Sequence, residues 1–210
     1  MEELPGLSGC RILWGEKCNI MSIREKYQIT EYCHHFLREY IHEGDHCIDA
    51  TCGKGCDTEF LCRSVGKTGR VYGFDIQREA VEQTRIRLER AGCADQAVLI
   101  CDGHEKMADY VKDQAAVIMF NFGYLPGGDH SVATRSRTSL KAVQEGLGLL
   151  KTGGVMSLCI YSGGDTGYEE KNTLLAYLKG LDTKYWLVIV HSYYNRRNDP
   201  PLPVFVIRLA

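Results

Sequence analysis

Two apolar runs near the end of the chain, "YWLVIVHSYY" (185–194) and "LPVFVIRL" (202–209), are separated only by "NRRNDPP". Seven residues cannot build a crossover helix, so these two strands must pair antiparallel. Everything between residues 46 and 180 follows a different rule. There β-rich runs alternate with helical stretches: "HCIDAT" (46–51) before "DTEFLCRSVG", "RVYGFDI" (70–76) before "REAVEQTRIRLERAG", and "AVLICD" (97–102) before a short helix after His104. The alternation continues with "AAVIMFNF" (115–122) before a long helix ending near Lys151, then "GVMSLCIY" (154–161) before "EEKNTLLAYLKG". Gly66 and Gly92 sit where a left-handed residue closes a helix.

Strands alternating with helices predict a parallel sheet covered on both faces. The expected class is α/β, with a seven-stranded, mostly parallel sheet and an antiparallel C-terminal hairpin. This arrangement resembles the Rossmann-like class I methyltransferases. At 210 residues with no linker or repeat, one domain spanning 1–210 is expected, with 1–43 as an N-terminal helical extension. Ser22 and Glu25 form a capping-box pattern, and Ile23, Tyr27, Phe36, Leu37, Tyr40 and Ile41 mark an apolar helical face after it.

No apolar run is long enough to span a membrane, and the first residues lack a basic region followed by an apolar block, so a cytoplasmic protein is expected. Ten cysteines, none in a C-x-x-C pair, then read as reduced structural thiols, with no metal site expected. A net charge of −2 argues against indiscriminate coating of nucleic acid, while leaving room for local basic patches in "TRSR" and "NRRN".

The loop "DATCGKGCDT" (49–58) follows the first strand, where a doubly wound sheet binds ligands. Gly53 and Gly55 permit a sharp turn and close backbone approach. Thr58 stands where a dinucleotide fingerprint wants a third small residue, and Asp49 and Asp57 would repel a pyrophosphate. Carboxylates suit a ligand carrying an ammonium and a sulfonium, which favours S-adenosylmethionine, with NAD as the alternative. Asp75 lies 20 residues beyond Gly55, placed either to accept from both ribose hydroxyls or to cap the next helix. Ile76 offers an apolar wall for adenine, with Gln77 beside it. "CDGH" brings Asp102 to the adenine amino group, with Gly103 alongside; His104 is either a ligand or structural. Thr51 and Asn121 complete the candidate cofactor set.

At the end of the fourth strand, "NFGYLPGGDH" (121–130) carries Asn121 and Tyr124. Methyl transfer needs an aimed, unprotonated lone pair. An amine can donate to the Asn121 side-chain oxygen against the aromatic wall of Tyr124. "NFGY" resembles the Asn-Pro-Pro-Tyr element of amino methyltransferases. Asp129 and His130 either accept the amine proton or begin a helix.

"DATCGKGCDT", "VYGFDIQ", "NFGYLPGGDH", "GGDTGYEEK" and "PPLPVFVIRL" together resemble the rRNA methylase family, which includes tRNA 5-(aminomethyl)-2-thiouridine methyltransferases. The resemblance runs from about Ser22 to the end. It implies methyl transfer from S-adenosylmethionine to the aminomethyl nitrogen of a wobble uridine in the tRNA anticodon region. On that reading Arg135, Arg137, Arg196 and Arg197 form an RNA-binding rim, and a flipped base stacks on Tyr124 or Tyr161. Lys54 departs from the family's Gly-Asn-Gly loop, and "SGGDTG" lacks the family's Gly-His pair, which bears on substrate choice. The residues alone leave open an amine methyltransferase acting on rRNA, protein or a small molecule, or a non-catalytic nucleotide-binding module. Exposed apolar faces on the first helix or the hairpin would suit a homodimer.

Overall fold

The computed structural model describes residues 22–122, 136–162, 167–197 and 199–210. Seven strands form one sheet in the order β3-β2-β1-β4-β5-β7-β6. They are β1 (His46–Asp49), β2 (Arg70–Phe74), β3 (Ala97–Ile100), β4 (Ala115–Phe122), β5 (Leu150–Ile160), β6 (Trp186–Val190) and β7 (Leu202–Arg208). Strands β1 to β5 run parallel, and β7 lies antiparallel between β5 and β6. The chain winds outward from β1 through β2 to β3, then returns to β4 on the other side of β1. That reversal opens a crevice between the C-terminal ends of β1 and β4.

The helices are α1 (Ile23–Lys26), α2 (Ile29–Leu37), α3 (Cys56–Val65), α4 (Arg78–Ala91), α5 (Met107–Tyr110), α6 (Ser136–Leu149) and α7 (Gly167–Lys179). One face of the sheet packs Leu37, Leu61, Leu88, Val117, Met119 and Phe205 beneath α2, α3 and α4. The other packs Ile118, Phe120, Met107, Val143 and Leu174 beneath α5, α6 and α7. Neighbouring β4 residues thus serve opposite layers, as the alternation of a strand requires.

Two local expectations are corrected. The first amphipathic helix is broken: the capping box of Ser22 and Glu25 starts α1, but Gln28 is extended and α2 begins afresh. Ile23 and Tyr27 are 77% and 52% exposed, so no packing energy carries the first turn into the second. The long helix after β4 stops at Leu149, and Lys151 already belongs to β5, where its ammonium reaches Asp45 at 2.5 Å. The described cysteines are free thiols, with Cys33, Cys47, Cys52, Cys62, Cys93 and Cys159 buried. Burial pushes the Cys47 thiol up to about 12, so it packs as an inert hydrophobe.

Gly55 caps the start of α3 with φ +77°, and a Cβ there would lie 3.0 Å from the Thr84 Cα and Cγ2 atoms. Gly55→Ala therefore combines left-handed strain with a clash against backbone, together about 2 kcal/mol or more. Thermal unfolding should fall by roughly 4–8 °C. Gly92→Ala is the control: φ is +68° with open space around the Cβ, so its loss should be smaller.

Candidate active site

The loop after β1 is held by the strand ends around it. The Cys52 N–H donates to the Phe74 carbonyl at 2.9 Å and the Thr84 hydroxyl to the Gly53 carbonyl at 3.2 Å. Gly53 and Gly55 both have positive φ, which leaves a stretch of backbone without side-chain cover. Asp75, just beyond β2, accepts the Gly53 N–H at 3.0 Å on one carboxylate oxygen and the Gln77 N–H at 2.9 Å on the other. Each oxygen keeps one lone pair, so the carboxylate can still receive a pair of vicinal hydroxyls. Ile76 follows with 56% of its surface exposed, an apolar side chain beside that carboxylate. Bare glycine backbone, a half-satisfied carboxylate and an exposed Ile76 fit an adenosine-bearing ligand.

Asp49 is fully buried. It accepts the Thr58 hydroxyl at 2.6 Å and the Thr51 N–H at 3.1 Å, so it braces the loop from below. Burial, joined by the Asp57 and Asp75 charges, pushes its carboxyl up to about 7. Asp102 is also engaged: it accepts from Lys106 Nζ at 2.7 Å, the Tyr110 hydroxyl at 2.8 Å and the Gly103 N–H at 2.8 Å. These partners, Lys106 first, hold its carboxyl down at about 2. His104 places Nδ1 3.2 Å from the Ala50 carbonyl, with its ring edge-on to Phe120 and Phe122. Burial lowers its pKa, so the ring is neutral, Nδ1–H donates and Nε2 carries the lone pair.

Across the crevice, the Asn121 N–H donates to Thr51 Oγ1 at 2.8 Å, tying β4 to the loop after β1. Its side-chain Nδ2 donates to Asp57 Oδ2. Asp57 Oδ1 in turn accepts from Nε2 of His34 at 2.6 Å. His34 is buried on α2 and stacked on Phe60, ring centroids 4.0 Å apart. A carboxylate only accepts, so Asp57 selects the amide orientation that presents NH2 to itself and leaves Oδ1 for another group. Among the described residues nothing donates to that oxygen.

His34 is the residue the sequence reading missed. Its signal was a histidine three residues before Leu37, on the buried side of α2. The cofactor-half candidates Asp49, Thr51, Gly53, Gly55, Asp57, Thr58, Asp75, Ile76, Gln77, Asp102, Gly103 and His104 do converge on this edge, with Asn121 opposite them. Tyr161 follows β5 with an exposed ring. Arg137 lies in the first turn of α6, whereas Arg196 follows β6 and donates to the Tyr27 carbonyl of the α1–α2 side at 3.2 Å. Of that predicted basic rim, Arg137 thus sits on the α6 side of the sheet and Arg196 against the α1–α2 side. Tyr124, Asp129, His130 and Arg135 lie outside the described residues.

The sequence profile of the family described as "Putative rRNA methylase" matches residues 71–207. A second profile, protein-L-isoaspartate(D-aspartate) O-methyltransferase, matches residues 19–115. The chain is 39% identical over 189 residues to a chloroplastic tRNA (mnm(5)s(2)U34)-methyltransferase from Arabidopsis thaliana, covering 84% of this chain and 67% of that protein. The crystal structure of a Clostridium thermocellum protein described as "putative rRNA-methylase" superposes with TM-score 0.83 at 43% identity, covering 85% of this chain and 96% of that one. A Streptococcus mutans protein described as "a putative methyltransferase", in complex with SAH, superposes with TM-score 0.79 at 35% identity, covering 87% of this chain and 98% of that one.

Proposed function

The chain belongs to the rRNA methylase family, and from that premise we propose that it is an S-adenosylmethionine-dependent tRNA methyltransferase. Its acceptor on this reading is the amine of 5-aminomethyl-(2-thio)uridine at the wobble position of the anticodon. One observation supports an amine acceptor above the rest: Asp57 claims the Asn121 NH2 and leaves the amide oxygen to accept. The wobble uridine itself rests on the Arabidopsis relative's name.

When bound, S-adenosylmethionine supplies a methyl group made electrophilic by its sulfonium. The protein's part is to hold and aim. Asp75 and Ile76 take the adenosine end, and the backbone at Gly53 and Gly55 takes the chain that follows. The Asn121 oxygen accepts from the incoming amine, which fixes where the nitrogen lone pair points. An ammonium has no lone pair, so a proton must leave before attack; Asp129 and His130 are the proposed acceptors.

The buried carboxylates give the cofactor step a pH signature. Asp49 has a pKa raised to about 7, so below that pH part of the free protein carries the neutral acid. A ligand bearing two positive charges favours the ionised form, so its binding should release a proton and tighten as pH rises from about 6 to 8. Calorimetry in buffers of different ionisation enthalpy checks this: the apparent binding enthalpy should vary with buffer at pH 6.5, about half a unit below that pKa, and vary less at about pH 7.5, still below where the ligand's own amino group titrates.

The function is tested by offering S-adenosylmethionine and NAD in parallel titrations, then by assaying methyl transfer to total tRNA and to rRNA. Tighter binding of the methyl donor and transfer to tRNA are expected. Preference for NAD would remove the methyltransferase reading, and transfer to rRNA alone would remove the tRNA reading.

A further inference from the structure

The geometry points to a second RNA-binding feature: a pocket at the β6 edge that seats an unstacked nucleobase within a few nucleotides of the one to be methylated. Tyr27, Tyr32, His191 and Tyr193 line a concavity of about 470 Å³. The inference rests on an RNA acceptor and extends it by naming where a flanking nucleotide binds.

The sheet register locates this pocket relative to the chemistry. Asn121 pairs with Cys159, Cys159 pairs with Pro203, and the His191 N–H donates to the Pro203 carbonyl at 2.9 Å. Three inter-strand spacings separate Asn121 from His191, about 14 Å, which an extended strand of RNA covers in a few nucleotides. Directly paired residues share a face. Cys159 meets Cys33 of α2 at 3.8 Å, and Tyr32 lies on the same helix. Pocket and amide therefore open on one side of the sheet.

The lining suits a base. Tyr32 bonds to His191 through its hydroxyl and meets Tyr193 edge-on, 6.4 Å between centroids. The Tyr193 hydroxyl is buried with no hydrogen-bond partner among the described residues. Such a group is costly unless something pairs with it, and a base edge carries both donors and acceptors. Arg196 lies over the Tyr193 ring at 4.3 Å and is anchored by the Tyr27 carbonyl, leaving guanidinium donors for a phosphate. Neither Arg196 nor Arg197 has an ion-pair partner among the described residues. Tyr194 alongside is 99% exposed, a further stacking surface.

The test is fluorescence anisotropy with labelled anticodon stem-loop RNAs, one intact and the others each with a single abasic site at one of the few loop positions flanking the wobble base. Tyr27→Ala and Arg196→Ala should each weaken binding by about 5- to 100-fold, and Tyr193→Phe by a smaller factor, with S-adenosylmethionine affinity unchanged. One of the abasic loops should bind wild type about tenfold more weakly but lose little further against Tyr27→Ala. Variants that bind the loop like wild type would overturn the pocket, as would wild-type protein that does not bind it. Binding through the pocket with methylation of a different RNA would sink the wobble assignment and leave the pocket standing. Methylation of the wobble base with unaffected variants would do the reverse.

Discussion

Replacing Asn121 with alanine is expected to lower kcat for methyl transfer by about 10²–10³-fold, the usual cost of losing one preorganised polar group at the reacting centre. Cofactor affinity should change by less than about tenfold, because the bond from Asn121 to Thr51 runs through its backbone N–H, which alanine keeps. Asn121→Asp should be no milder. It removes the NH2 that Asp57 accepts and sets a second carboxylate against the first. His34→Ala provides the graded case: it leaves Asn121 in place but deprives Asp57 of its buried partner. A kcat loss of about 10-fold with KM little changed would mark His34 as a positioning residue. Steady-state kinetics on the same substrate separates the three variants.

The second large effect belongs to Asp75. Asp75→Ala removes the proposed acceptor for the ribose hydroxyls and also frees the Gly53 and Gln77 N–H groups that shape the loop. Hydrogen bonds to a charged group are worth about 1.5–3 kcal/mol each, so two lost together should weaken S-adenosylmethionine binding by about 100-fold or more. Asp75→Asn keeps one carbonyl oxygen and should recover part of this. Calorimetric titration reads both. Asp102→Ala should cost far less, since its carboxylate is already committed to Lys106, Tyr110 and the Gly103 N–H.

That contrast shows how far the sequence could be read. Strand, loop and helix order were legible because they rest on local periodicity and on glycines at helix ends. Asp75 was legible because its distance from Gly55 is set by one helix and one strand. Asp102 was placed correctly at the end of β3, but its engagement depends on Lys106 and Tyr110 coming round on a helical turn. His34 meets Asp57 across 23 residues and Asn121 answers across 64, contacts that no local pattern encodes. The position of β7 between β5 and β6 likewise follows from sheet pairing, whereas the sequence required only that the two strands be antiparallel. The break before α2 was hidden because the apolar pattern continues through residues that find nothing to pack on.

On the proposed function, an amine on a tRNA wobble uridine receives the methyl group. The measurement is nucleoside mass spectrometry of tRNA bearing 5-aminomethyl-2-thiouridine after incubation with the protein and S-adenosylmethionine. Conversion of that nucleoside to its N-methylated form is expected, lost with Asn121→Ala. An unchanged aminomethyl nucleoside, with the methyl group recovered on rRNA or on a carbon or oxygen atom, would contradict it.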